Sequence, residues 1–308
     1  MKLGIIILNW NDADTSLQCL RIVFSWRSID TEIIVVDNAS SDDSVKSIVA
    51  EFPDIHLVQS ETNCGFAGGN NLGITKALEV GCDAVLMLNS DAEISEDDVT
   101  ALIRRLEDST EPIIIGPAIE EKSATGSVLT CGGRDMGRFS RTRITAGDGN
   151  QAYSGRGRPG SRQELHEVGY VPGTVLLAPV SVFDKVGLLD EDYFFSGEIA
   201  DFCARARLQG IKSMIDMSVT AHHGDENEVK PLRGSLYIYY TLRNRFLYVS
   251  KHGGSARLWL KFIWIIKGFC MFGISIIKLD FKRARAVALG LSDGLFGKWG
   301  NRNEMFGV

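Results

Sequence analysis

Asn89, Ser90 and Asp91, with Glu93 just beyond, close a continuous apolar run, Ala84–Leu88, which Gly81 and Asp83 precede. A short apolar run between turn signals reads as a strand buried on both faces. Such strands belong to parallel sheets covered by helices. Oxygen ligands at the carboxyl end of a central strand stand where an open α/β sheet carries its chemistry. A hard divalent cation, Mg2+ or Mn2+, takes one or two protein oxygens and fills its shell with phosphates and water. The spacing of Asn89 and Asp91 supplies that number. A polar turn after a strand uses the same residues, so the spacing alone keeps both readings.

Two further stretches carry related chemistry. Asp37 follows the apolar segment Glu32–Val36 in the run Asp37-Asn38-Ala39-Ser40-Ser41-Asp42. A doubly wound fold meets the base or ribose of a nucleotide at such a place, although the same residue types also cap helices. Asn63-Cys64-Gly65-Phe66-Ala67-Gly68-Gly69-Asn70-Asn71-Leu72-Gly73 predicts a glycine-rich loop whose backbone approaches a ligand closely, with amides facing phosphate. It is neither a Walker loop nor Gly-x-Gly-x-x-Gly, and a structural turn competes with the ligand reading.

These residues need a scaffold. Leu3–Leu8, Glu32–Val36, Ile55–Val58, Ala84–Leu88 and Pro112–Ile119 read as strands. Helical patterns separate them, the first capped by Asp14 or Thr15 and the last by Ser95. Strands alternating with helices predict a largely parallel sheet with right-handed crossovers. The 308 residues permit one large or two small domains, and the apolar (44%) and charged (23%) fractions are ordinary for a globular chain. A net charge of -6 speaks against nucleic acid as a partner, because phosphate contacts need a basic surface. Six scattered cysteines with no Cys-x-x-Cys pair fit reduced thiols in the cytoplasm better than disulfides or a zinc site. The first apolar stretch is too short for a signal-peptide core.

Ile7-Leu8-Asn9-Trp10-Asn11, Val35-Val36-Asp37-Asn38-Ala39-Ser40-Ser41-Asp42, Asn63–Asn71 and Leu88–Asp91 resemble four successive signatures of glycosyltransferase family 2, in that family's order and spacing, across roughly residues 3–250. The rhamnosyltransferase-like branch is the nearest match. The resemblance implies an α/β, GT-A (Rossmann-like) fold: a mostly parallel central sheet flanked by helices. It also implies inverting transfer from a dTDP-, UDP- or GDP-sugar to a hydroxyl of a glycan or lipid-linked acceptor, in cell-surface polysaccharide or glycolipid assembly. By motif match, Asp37 contacts the nucleoside and Asp91 holds a Mg2+ or Mn2+ bridging the diphosphate. Asn89 replaces the first carboxylate of the family's Asp-x-Asp, and Asn9, Asn63, Gly65 and Asn70 belong to the donor site. One of His222 and His223, with preference for His223, stands near the metal; adjacent residues of a strand face opposite ways. The family's Glu-Asp-x-Asp-Leu is here Glu198-Ile199-Ala200-Asp201-Phe202. Ile199 occupies the usual place of the proton acceptor and takes no proton. Glu198 is therefore the expected base, and Asp201 a structural or acceptor-binding residue, though a helix start favours carboxylates in any case. Ile199 also motivates an alternative, a catalytically silent nucleotide-sugar-binding protein. A sugar nucleotidyltransferase is a weaker rival, since Asn9-Trp10-Asn11-Asp12 lacks the glycine and lysine such enzymes place after their first strand.

Residues 1–250 read as the catalytic domain, with a hairpin and mobile loop over 119–168. Arg134, Arg138, Arg141, Arg143, Arg156, Arg158 and Arg162 in that stretch meet an acceptor phosphate or simply solvent. Residues 251–308 read as an amphipathic helical extension. Leu258–Ile277 has the length of a membrane span, but Lys261 and Lys267 within it oppose insertion. On a helical wheel Arg257, Lys261, Gly268 and Ser275 gather on one side. A helix lying in the membrane interface fits better, with Lys278, Lys282, Arg283 and Arg285 against anionic lipid. The protein is thereby expected on the inner, cytoplasmic face of the membrane. Packing on the domain, or on a second copy in a homodimer through these helices, is the alternative.

Overall fold

Alternate residues of the first strand go to opposite layers, and this sorting sets the architecture. The computed structural model describes residues 1–123, 126–133, 145–146, 165–224 and 231–307. In it β1 (Leu3–Asn9) sends Leu3, Ile5 and Ile7 into one apolar layer and Ile6 into the other. β2 (Thr31–Asp37), β3 (His56–Gln59) and β4 (Ala84–Asn89) run parallel to it in the order β3-β2-β1-β4. α1 (Ala13–Phe24) and α2 (Ser44–Glu51) cover the Ile5 layer, and α3 (Gly65–Glu79) covers the Ile6 layer. The chain steps outward from β1 to β3, then returns to the other side of β1. The strand order therefore reverses between β1 and β4, and a crevice at their carboxyl ends is where such a sheet binds ligands.

Two expectations change here. The glycine-rich stretch is no loop: Gly65 opens α3, and Gly68, Gly69 and Gly73 lie inside the helix. Their absent side chains serve packing, since a Cβ on Gly69 would sit 2.4 Å from Leu8 and one on Gly73 2.4 Å from Ile6. α1 begins at Ala13, ahead of the residues expected to cap it, and the Asp12 carboxylate accepts from the Thr15 hydroxyl rather than from a helix amide. Ser95 does cap its helix, accepting from the Asp98 amide.

Beyond β4 the sheet becomes mixed. β5 (Ala92–Glu93) and α4 (Glu96–Glu107) precede β6 (Ile113–Ser123), which forms the expected hairpin with β7 (Gly126–Thr130). β8 (Thr145–Ala146) pairs with β7. β9 (Leu165–Val168) pairs with β11 (Lys212–His223), and β10 (Val175–Pro179) runs antiparallel between β4 and β6. β11 runs parallel to β6 and ends against β5. α5 (Val180–Val186) and α6 (Glu198–Leu208) complete the Ile6 layer. The seven arginines from Arg134 to Arg162, and the loop expected around them, lie outside the described residues.

α7 (Pro231–His252), α8 (Arg257–Ile277) and α9 (Phe281–Phe296) follow. The boundary expected at residue 250 falls inside α7, and the segments on its two sides share apolar clusters: Tyr239 and Tyr240 with Ala286, and Leu242 and Phe246 with Val287 and Leu291. Close approach depends on small residues, because a Cβ on Gly294 would lie 2.5 Å from the Phe246 ring and one on Gly268 2.4 Å from Leu291. The C-terminal helices are thus part of the molecule's packing rather than an appendage.

Candidate active site

The crevice is lined first by β1 and β2. Asn9 is fully buried at the end of β1; its amide donates to Asp37 Oδ1 and to Ser40 Oγ, each at 3.0 Å, and its carbonyl oxygen accepts from Ser16 Oγ. The Ser40 amide donates to the other Asp37 oxygen. Asp37 is thus a buried carboxylate, oriented by neutral donors. Asn38, unremarked in the sequence, ties this strand end to α3: its amide reaches the Gly65 carbonyl and Asn63 Oδ1, and it accepts from the Cys64 amide. Asn63 also accepts from the Gly65 amide. Asn70 donates to Phe66 in its own helix. The amides of Phe66 and Ala67 both point at the Phe194 carbonyl, so the residues expected to face phosphate bind protein instead. A Cβ on Gly65, at φ +70°, would sit 2.2 Å from that carbonyl, which explains the glycine.

β4 and β5 provide the second wall. Asn89 ends β4, and Asp91 follows in the tight turn to β5. Pairing of β5 with the end of β11 brings His223 Nε2 to 3.2 Å from Asp91 Oδ1. His222 turns the other way, its Nδ1 3.0 Å from Glu120. Among the described residues no cluster of three ligating side chains occurs. A half-exposed carboxylate beside an imidazole fits a divalent cation that takes most of its ligands from a diphosphate and water.

The third element is the segment leading into α6. Phe194 (φ 60°, ψ -57°) is the centre of a γ-turn closed by the Phe195 amide on the Tyr193 carbonyl, and Ser196 (φ 69°) and Gly197 (φ 111°) also have positive φ. Such a backbone is strained and persists only when its surroundings hold it. They do so completely: every carbonyl from Leu189 to Gly197 accepts a hydrogen bond. From one side Asn71 of α3 binds Leu189 in both directions. From the other, the Asn244 amide nitrogen lies within 3.0 Å of the carbonyls of Tyr193, Phe195 and Ser196. Arg243, fully buried, donates to Asp192, Tyr193 and Gly300 and stacks on Tyr240.

This held segment presents Glu198 and Asp201, which differ sharply. Asp201 is fully buried and engaged by Arg205 (2.8 Å), His252 (2.7 Å) and the Tyr193 hydroxyl (3.2 Å). Burial pushes its carboxyl up, but the His252 and Arg205 hydrogen bonds and charges outweigh this and hold it below the usual range. Glu198 is only 6% exposed, and its Oε2 has no partner. Burial, with the Asp201 charge adding, pushes its carboxyl up to about 7 against its own backbone hydrogen bond. A carboxylate with a free oxygen and a value near neutrality suits proton transfer, whereas Asp201 has no oxygen to offer. Ile199 packs in the apolar layer, where a Cβ on Gly173 would meet it at 3.1 Å.

A mixed α/β sheet whose strand order reverses beside an acidic turn is the architecture of the GT-A fold. The chain matches the model of glycosyl transferase family 2 over residues 4–169. It is 30% identical over 80% of its length to the low-salt glycan biosynthesis hexosyltransferase Agl10 of Haloferax volcanii, covering 74% of that protein. It is 24% identical over 85% of its length to an N-acetylglucosaminyl-diphospho-decaprenol L-rhamnosyltransferase of Mycobacterium tuberculosis, covering 88% of it. A mannosyltransferase from Pyrobaculum calidifontis, solved with GDP-Man and Mn2+, superimposes with a TM-score of 0.59 over 96% of this chain and 87% of its own, at 11% identity; it shows the fold alone. The chain belongs to glycosyltransferase family 2, and the nucleotidyltransferase reading falls away.

Proposed function

We propose that the protein moves a hexosyl or deoxyhexosyl group from a nucleoside-diphosphate sugar to a hydroxyl of a lipid-linked or glycan acceptor, with inversion. Asp37, set by Asn9 and Ser40, receives the nucleoside, and Asn89 borders the diphosphate. Asp91 and His223 would hold a divalent cation, which neutralises the departing diphosphate when bound. Glu198 takes the proton of the acceptor hydroxyl as it attacks the anomeric carbon from the face opposite the leaving group. The observation that carries this reading is the unpartnered, buried Oε2 of Glu198. The silent-binder reading keeps one motive, the alkyl side chain of Ile199, and a transfer assay separates the two: turnover excludes it. Asp91→Ala is expected to weaken nucleoside diphosphate binding at least tenfold in Mn2+ and little without it, read by calorimetry; the same metal-dependent affinity in both proteins would remove Asp91 from the site.

The acceptor side meets a membrane in this reading. α8 turns Leu260, Gly268 and Ser275 inward onto α7 and α9, and its outward face carries Leu258, Trp259 (62% exposed), Phe262, Ile266, Phe269 (65%) and Ile277 (83%). The side of the wheel bearing Gly268 and Ser275 therefore faces protein, and the solvent face is apolar but for Arg257 and Lys267. Seven basic residues and one acidic lie between Arg257 and Arg285, in a chain whose net charge is -6. That combination fits an anionic bilayer surface. A spanning α8 would put Lys267, exposed at the middle of the helix, into hydrocarbon, at several kcal/mol. The protein is expected to co-sediment with anionic vesicles, and Trp259→Glu with Phe262→Glu to reduce this at least tenfold. A parent chain that stays in solution as a dimer would assign the face to a second copy.

A further inference from the structure

Arg243, Asn244 and Arg245 are consecutive on α7 and are treated very differently. The first two hold the segment before Glu198. The Arg245 Nη1 is buried and has no hydrogen-bond partner. Its guanidinium lies 5.1 Å over the Trp264 ring of α8, with Tyr170, Tyr237 and Tyr248 around it. No described carboxylate pairs with it, and burial pushes its pKa down. A guanidinium nevertheless keeps its charge. A buried charge without a counter-ion is costly, and proteins normally pair it.

The location suggests what completes the pair. Thr241, one turn earlier on α7, has its hydroxyl 3.3 Å from that of Ser196, two residues before Glu198. Tyr237 meets the edge of Phe195 in the same segment. On the other side Trp264 belongs to the helix whose outer face is apolar. Arg245 therefore stands between the base and the surface assigned to lipid. We propose that Arg245 binds the phosphate of an amphiphilic acceptor, a phosphate or diphosphate ester on an apolar chain. The chain runs toward α8 and the sugar hydroxyl reaches Glu198. This rests on the transferase reading and narrows its acceptor to a phosphorylated lipid. Guanidinium and phosphate make paired, charge-assisted hydrogen bonds, which the free Nη1 is placed to supply.

The test is calorimetry of the full chain in neutral detergent micelles, with chelator present and no nucleotide, using farnesyl diphosphate, farnesol and inorganic diphosphate. Farnesyl diphosphate is expected to bind at least tenfold more tightly than either of the others. Arg245→Gln should erase its advantage over farnesol, and Arg245→Lys should keep part of it. Melting temperatures of both variants, measured separately, should not fall below the parent's, and donor nucleotide affinity should match it. Equal binding of farnesol and farnesyl diphosphate by the parent overturns the proposal, as does a retained preference in Arg245→Gln. Inorganic diphosphate binding as tightly as the lipid ester would point to a free anion and overturn the lipid assignment. If Arg245→Gln fails to fold, Arg245→Lys and the three-ligand comparison on the parent still decide. Because no transfer occurs in this assay, failure here is distinct from failure of Glu198 or Asp91.

Discussion

Glu198→Gln is expected to lower turnover by roughly 10²–10⁴-fold, the range general-base assistance supplies, while donor affinity stays at the parent value. The substitution keeps the size of the side chain and removes its basicity. The parent should also show an acid limb: with the carboxyl pushed up to about 7 by burial, the deprotonated base is depleted below that pH and the rate falls. The same group predicts an opposite trend in stability. Between the ordinary value of 4.5 and about 7 the folded chain keeps a proton that the unfolded chain has lost, so stability declines as pH rises through that window. Glu198→Gln lacks this decline and should be the more stable protein at pH 8, by something on the order of 3 kcal/mol, and equal to the parent at pH 4. Single-turnover transfer and urea unfolding at both pH values check the pair of effects. Asp201→Asn losing turnover while Glu198→Gln keeps it would move the base to Asp201, against the three hydrogen bonds that occupy it.

Arg243→Met should cost on the order of 3 kcal/mol or more of unfolding free energy, because the Gly300 carbonyl is left without its donor and the carbonyls of Asp192 and Tyr193 each lose one of theirs. In protein that remains folded, transfer should fall while nucleotide binding persists, since Asp37 ends β2 and Asp91 lies in the turn from β4 to β5, outside this segment. The strained turn at Phe194 explains the coupling: a γ-turn without its donors relaxes, and Glu198 moves with it. Urea midpoints and donor calorimetry measure the two halves. A variant as stable as the parent would mean that the carbonyls find water, and that the segment needs no grip from α7.

The strands were legible because largely apolar segments such as Leu3–Leu8 and Ala84–Leu88 end in turn residues, and the observed strands extend each of these two by one residue. Asn9, Asp37 and Asp91 were legible for the same reason, as polar residues at strand ends. Gly65–Gly73 misled because glycine marks both a loop and a helix pressed against a strand, and only the proximity of Leu8 and Ile6 distinguishes them. The enclosure of Asp201 was invisible: His252 lies 51 residues away, and no local pattern announces the contact. Arg243 and Asn244 sit in a helix whose arginines read as facing phosphate or pairing with acids, and their targets are main-chain carbonyls, which leave no mark in a sequence.

Gly300 supports the same segment in two ways: its amide donates to the Asp192 carbonyl, and its carbonyl accepts from Arg243, which in turn donates to Asp192 and Tyr193. The order of synthesis gives this a meaning in time. On a growing chain β1, β2 and β4, which carry the proposed donor side, are made first, and domains form broadly from the N-terminus during translation. The backbone before Glu198 receives the Gly300 amide, and Arg243 gains its Gly300 acceptor, only when residue 300 has been added. In the proposed reading, the nucleotide-facing strands and the support of the base are thus completed at widely separated stages of translation.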